Sequence, residues 1–343
     1  MRHHGPEQSS TALDVVICTY SNGRQLEEVL AALAEQDEDA GRWRVLVVDN
    51  NSTDDTPAVV DRWAATGSIP GLRRVVERIQ GLTPARQRGV AETDGPWIAF
   101  VDDDCVLDRA WVRHAAAFAA AHPDAAGFGG RVRPVYERQP PELADRGWLF
   151  AEQDLGDEVA PVDCLVGAGM VVRREALATA QWVDRAWFAD RIGRRLVSGG
   201  DVEMALRLGA TGTLWYVPDC ELEHRIAAGR TELGYLTRLA RGLGVSAALA
   251  GALTWRRGRR RWLAAAGREA IDALAQVARG TRRARRQQAG SRAADLALTA
   301  SYELGRLVGL VRVAVLVVTG RCPYFGGAAP IATSPGGTCA SAS

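Results

Sequence analysis

Three carboxylates in a row, Asp102, Asp103 and Asp104, close the apolar run Trp97-Ile-Ala-Phe-Val101. Such a run reads as a buried strand that stops at a charged site. Acids side by side repel one another and resist burial, so the pattern calls for a compensating cation. Oxygen donors select a hard divalent one, Mg2+ or Mn2+. Taken alone, the triplet serves equally well as an acidic loop whose Asp104 or Asp108 caps the following helix. The rest of the chain decides between the two.

The elements that would hold these acids alternate regularly. Leu13 to Thr19 reads as a strand, followed by a helix capped by Asn22 with Leu26, Val29, Leu30 and Leu33 on one face. Val45 to Val48 is a second strand ending in Asp49, and Ser52 with Asp55 has the form of a capping box for a helix carrying Val59, Val60 and Trp63. A third strand lies near Leu72 to Val76, and Thr83-Pro84 suits the start of a helix running to Gly95, ahead of the strand Trp97 to Val101. Strands alternating with helices imply an α/β fold with a mainly parallel sheet covered on both faces, and a ligand crevice outside the strands' carboxyl ends.

Further on, the patterns predict a helix over Trp111 to Ala121, a strand over Ala126 to Val132 and a long mobile loop from Arg133 to Gly156. Next come a strand over Cys164 to Val172, a short helix over Val202 to Leu208 and a strand over Thr213 to Val217. Gly167-Ala168-Gly169 falls inside the Cys164 strand, where glycine weakens pairing unless something approaches the backbone closely.

Composition bounds the function. A chain of 343 residues with 47% apolar content can bury one large core of about 220 residues plus an appendage. Its net charge of +1 gives no general case for nucleic acid. All 42 basic residues are arginine, which excludes any lysine-dependent mechanism. Six scattered cysteines show no zinc spacing, and the polar N-terminus has no secretory signal; both point to a cytoplasmic protein with reduced thiols.

Val16-Ile-Cys-Thr-Tyr20, Val47-Val-Asp-Asn-Asn-Ser-Thr-Asp54, Ala85-Arg-Gln-Arg-Gly89, Phe100-Val-Asp-Asp-Asp104, Gly200-Asp201 with Met204 to Leu208, and Trp215 to His224 occur in the order seen in family-2 glycosyltransferases. The chain resembles that family over about residues 13 to 225. The resemblance implies a GT-A fold and transfer of a sugar, with inversion, from a nucleoside-diphosphate sugar, a UDP-sugar foremost, to an acceptor hydroxyl or amine. It sets Thr19, Tyr20, Asp49, Asn50, Asn51 and Arg86 at the nucleotide, Asp102 and Asp103 near its ribose and sugar, and Asp104 with His224, on a strand-end loop, at the metal. Asp201 would be the general base, and Gly167, Ala168, Gly169 and Gly200 would line the sugar or acceptor pocket. The family usually places Glu-Asp where this chain has Gly200-Asp201.

Each position also has a plainer reading. Thr19 and Tyr20 can be ordinary strand-end residues, Asp49 to Asn51 and Asp201 helix caps, and His224 a core or surface histidine. The C-terminal third differs in kind. Leu233 to Trp255, Trp262 to Val277 and Leu296 to Val318 read as helices, separated by arginine clusters at Arg256 to Arg261 and Arg282 to Arg286. Basic helices with tryptophans suit peripheral contact with an anionic membrane at its inner face; the apolar stretch Leu307 to Val318 is too short to span one. Packing on the catalytic core with solvated arginines is the other reading. The expected divisions are a disordered 1–12, a catalytic 13–228, a helical 229–320 and a disordered 321–343. Two other functions fit less well. A nucleotidyltransferase would show a glycine-rich basic loop near the N-terminus, and a lipid- or RNA-binding module would have no use for the acids.

Overall fold

The computed structural model describes residues 12–322 apart from residues 40, 141–146, 189, 193–195, 197, 256 and 285–288. The expectation of disorder at both termini falls almost wholly outside these residues, as do the side chains of the 282–286 cluster.

Strands and helices alternate through the first half as β1 (Leu13–Thr19), α1 (Gly23–Ala34), β2 (Trp43–Asp49), α2 (Thr56–Thr66), β3 (Arg73–Val76), α3 (Leu82–Ala91) and β4 (Trp97–Asp102). Continuous apolar runs make β1, β2 and β4 two-sided, and β1 is buried along nearly its whole length between helices on both faces. The four strands are parallel in the order β3-β2-β1-β4. Their register pairs Thr19 with Asp49 and Cys18 with Asp102, so three strand ends reach one edge together.

After β4 the chain forms β5 (Cys105–Leu107), α4 (Trp111–Ala121), β6 (Gly127–Gly129), β7 (Val132–Tyr136), a 3-10 turn at Gly147–Phe150, β8 (Ala160–Val162) and β9 (Met170–Arg173). Then come α5 (Arg174–Thr179), α6 (Trp182–Arg185), α7 (Gly200–Leu208), β10 (Leu214–Tyr216) and β11 (Leu222–Ile226). Strand β9 lies antiparallel between β4 and β6, extending the sheet to eight strands, and β5, β11 and β7 make a second, three-stranded sheet.

Several local expectations need correction. Ala126 to Val132 is not one strand: β6 joins the large sheet and β7 the small one. The Cys164 strand begins only at Met170; Gly167, Ala168 and Gly169 form the turn before it, with Gly169 at φ +71°. Asn22 does not cap α1. Asp54 accepts the Gly23 N–H at 3.0 Å instead, and the Asn22 amide reaches Asp103. The Ser52/Asp55 capping box is absent because the Ser52 hydroxyl accepts the Ser21 N–H. Helix α3 starts at Leu82, and the Thr83 hydroxyl donates to the Phe188 carbonyl. Long-range partners outbid the local caps in each case.

The C-terminal region is helical: α8 (Leu233–Leu253), α9 (Arg259–Ala284) and α10 (Ala289–Val318). Gly244, Gly305 and Gly309 let α8 and α10 approach so closely that a Cβ on Gly244 would lie 2.0 Å from the Tyr302 carbonyl. Trp262 is buried in the core these helices share, and Trp255 packs against it; the tryptophans face inward rather than outward. Arg306 pairs with Glu303 at 2.9 Å and with Glu269 at 3.8 Å. No described helix is long and apolar enough to cross a membrane.

Candidate active site

The aligned ends of β1, β2 and β4 open onto a cleft of about 1920 Å³, roofed by Trp148 and residues of α8 and α10. Asp102 ends β4, half-buried, and Asp103 beside it accepts the Asn22 amide at 2.9 Å. Burial and the neighbouring Asp104 charge push the Asp103 carboxyl up to about 7. Asp104 goes the other way. Burial opposes its charge, but His224 and Arg230 hold it well below the usual carboxylate range.

Strand pairing brings His224 to Asp104. The register sets His224 opposite Cys105, and the Arg225 N–H donates to the Asp104 carbonyl at 2.8 Å. His224 therefore sits within β11, not on a strand-end loop as expected from the sequence. Its Nδ1 lies 2.7 Å from the Phe150 carbonyl, which can only accept, so Nδ1 carries the proton. Its Nε2 faces Asp104 Oδ2 at 3.5 Å. This is the orientation that a metal-ligating histidine needs.

Asp102, Asp104 and Cys105 bring ligand atoms within 4.8 Å of one another. Burial pushes the Cys105 thiol well up, and a hard divalent ion prefers the oxygen donors beside it. The two carboxylates, with the His224 imidazole 3.5 Å from Asp104, offer donors that suit Mn2+ or Mg2+. Arg230, from the turn after β11, also binds Asp104 Oδ2, so that carboxylate already has a cationic partner within the chain. Sequence reasoning missed Arg230; the arginine six positions beyond His224 was the available signal.

Across the cleft Asp201 stands in the first turn of α7. Its Oδ2 accepts the Gly167 N–H at 3.2 Å and its Oδ1 the Val202 N–H at 2.9 Å. The close approach that excuses a glycine at 167 is visible here: a Cβ there would lie 2.9 Å from Asp201 Cβ and 3.1 Å from Arg86 Nη2. Arg86 is buried, stacked over Phe100 with 5.7 Å to the ring centre, and its fork spans Asp102 at 3.5 Å and Asp190 at 3.6 Å. Asp190, buried and also missed, belongs to no motif.

Thr19, Tyr20, Asn50, Arg86, the acidic triplet, Gly167, Ala168, Asp201 and His224 all line the one cleft. Asp49, Asn51, Gly169 and Gly200 stand behind its wall. Asp49 is engaged by the Ser52 N–H at 2.8 Å and by Arg74 at 3.3 Å, and Asn51 donates to the Arg78 carbonyl. Asn50 lines the cleft, yet its side chain is spent on the 77–81 turn, donating to Glu77 and Ile79 carbonyls and accepting from Gly81. The Thr19 hydroxyl is buried beside Asp103, whose ionised form it favours as a donor.

A half-parallel sheet whose central strand ends in acids, continued by an antiparallel strand and a small second sheet, defines the GT-A class of fold. The comparisons agree. Residues 14–179 match the profile of glycosyl transferase family 2. An uncharacterized glycosyltransferase of Mycobacterium tuberculosis is 30% identical over 220 residues, 62% of this chain and 85% of its own length. The chain belongs to glycosyltransferase family 2. Glycosyltransferase AglE of Haloferax volcanii is 25% identical over 202 residues, 58% of this chain, and the chain spans 62% of AglE's length. Among solved structures, residues 1–349 of Staphylococcus aureus TarS in complex with UDP-GlcNAc superpose with a TM-score of 0.52 at 19% identity, covering 86% of this chain and 90% of that one. At that identity the likeness speaks for the fold.

Proposed function

We propose that the chain is an inverting glycosyltransferase that moves a sugar from a nucleoside-diphosphate sugar to an acceptor hydroxyl or amine, with Asp201 as the general base. The observation that carries this reading is the separation of acids across one cleft. Asp102 and Asp104 bring carboxylate oxygens within 4.8 Å of each other on one wall, with His224 Nε2 3.5 Å from Asp104, while Asp201 stands on the other, its two oxygens accepting the Gly167 and Val202 N–H groups. An amide donor orients a carboxylate without removing its negative charge, which leaves Asp201 able to accept a proton.

In this reading the nucleotide lies along the ends of β1 and β4, with the Thr19 hydroxyl at the cleft within reach of base or ribose. Asp201 takes the proton from the acceptor as its oxygen attacks the anomeric carbon from the face opposite the diphosphate. The bond from that carbon to the diphosphate oxygen breaks, its electron pair leaves with the nucleoside diphosphate, and the configuration inverts. Arg230, poised on Asp104, and Arg86, poised on Asp102, are the chain's own cations for the charge that develops on the leaving group. A divalent ion bound by Asp102, Asp104 and His224 would supply Lewis-acid stabilisation of the same charge. No acid in the matched motifs is left over for a covalent intermediate, which is why a single displacement is favoured over double displacement.

The test is to incubate the pure protein with a panel of nucleotide sugars, UDP-sugars first, with Mn2+ and to measure released nucleoside diphosphate. Slow hydrolysis of one donor is the expected result, since water can stand in for the acceptor. Release from none, with or without metal, overturns the reading.

A further inference from the structure

Asp190 is a buried carboxylate to which the reaction outlined above gives no role. Its position is built rather than incidental. Glu203, two residues beyond Asp201 on α7, accepts the backbone N–H groups of Trp187 at 2.9 Å and Phe188 at 2.7 Å. From the other side α3, the helix that carries Arg86, donates the Thr83 hydroxyl to the Phe188 carbonyl at 3.2 Å and the Leu82 N–H to the Asp190 carbonyl at 3.3 Å. The two helices that bear Asp201 and Arg86 thus hold between them the segment that ends in Asp190.

Position 200 completes the picture. A Cβ on Gly200 would lie 2.7 Å from Asp190 Oδ2, so the Asp190 carboxyl fills the space into which a side chain at 200 would grow. A side chain at 200 would have to displace the Asp190 carboxyl from its present place. Three carboxylates, Asp102, Asp190 and Asp201, act on the buried charge of Arg86. Two of them are within ion-pair reach of its fork, at 3.5 and 3.6 Å, and Arg86 and Asp201 face the same bare backbone at Gly167. If the Asp190 end of the fork were vacated, Asp201, the third acid acting on Arg86, would be free to claim it, and a base paired with a guanidinium is a poor base.

We propose that Asp190 is a positioning residue that holds Arg86 against the donor-side acid Asp102 and off Asp201, supplying from a separate segment the carboxylate that Gly200 cannot. The inference rests on the glycosyltransferase reading with Asp201 as base. The full chain is assayed with the donor that wild type hydrolyses best, with Mn2+. Asp190→Asn keeps the shape and an acceptor oxygen but loses the charge. Its kcat should fall by about tenfold or more while the donor KM and the calorimetric affinity for UDP with Mn2+ stay within about threefold.

Moving the acid supplies the second arm. Asp190→Ala should be as impaired as Asp190→Asn, and Asp190→Ala combined with Gly200→Asp should recover several-fold of the lost kcat, which a merely structural role for Asp190 does not predict. Wild-type kcat in Asp190→Asn, or a double variant no better than Asp190→Ala, overturns the inference. Failure of wild type to hydrolyse any donor overturns the glycosyltransferase reading first, and this inference falls with it. Turnover by wild type that Asp190→Asn matches overturns this inference alone.

Discussion

The two walls of the cleft are built on different principles. The wall proposed to take the donor, the donor wall, is made of strand ends: Thr19, Asn50 and Asp102 reach it because β1, β2 and β4 run parallel and stop together. The opposite wall is made of segments brought from afar. Gly167 comes from a turn, Asp190 from a stretch tethered by Glu203, Asp201 from a helix N-terminus, and the roof from α8 and α10. Charge follows the same division. The donor wall matches Asp104 to Arg230 and His224, whereas the opposite wall leaves Asp190 and Asp201 near each other with Arg86 turned partly away toward Asp102. A wall of regular strand ends suits a donor whose nucleotide part is constant. A wall of tethered segments can change acceptor without disturbing the sheet.

If the walls have separate tasks, substitutions on each should separate as well. The largest effect is expected at Asp104, which pairs with Arg230 and in the proposed scheme also helps hold the cation. Asp104→Ala should cut Mn2+-stimulated turnover by about a thousandfold and weaken Mn2+ binding, read by electron spin resonance, while circular dichroism shows a retained fold. Full wild-type activity in excess EDTA would remove the metal from the scheme. Next comes Asp201→Asn on the other wall, where turnover should fall by about a hundredfold or more with calorimetric nucleotide affinity unchanged. Loss of nucleotide affinity in this variant would mean that the walls are not divided as described, and retained anomeric configuration in the product would refute the single displacement.

The donor wall was legible in the sequence for a physical reason. A buried parallel strand is a continuous apolar run, so its end is marked by the first charge, as Val101-Asp102 and Val48-Asp49 show. The same rule misled at Cys164 to Val172, where the apolar run continues through a turn, Gly167 to Gly169, before the strand starts. His224 was legible as a residue but not as a strand position, because its approach to Asp104 depends on the β5–β11 register, a contact between segments more than a hundred residues apart. Caps failed for a related reason. Asn22, Ser52 and Thr83 each carry the right side chain in the right place, and each is drawn to a partner across the cleft or the fold. Asp190 had no local signature at all. Its meaning lies in the space above Gly200 that its carboxyl fills, and space is not written in one segment.

The smallest effect is also the one that reads the two walls in opposite directions. The Asp104 carboxyl is held low in the folded chain, so what it contributes to stability is present above the ordinary carboxylate range and is lost as pH falls through its folded value. Asp190 has the reverse sign. Burial, then the Asp201 charge, raise it from 3.8 to about 6, although Arg86 pulls the other way. Between those values the folded chain holds the Asp190 proton more tightly than the unfolded chain does, so stability is greatest below the window and is lost as pH rises through about 6. Asp190→Asn cannot titrate. Its unfolding free energy should therefore lack this decline and, relative to wild type, gain on the order of 1–3 kcal/mol between pH 4 and pH 7. Urea unfolding at a series of pH values measures the difference. A curve for the variant parallel to that of wild type would show that Asp190 is ionised in the folded chain at no cost.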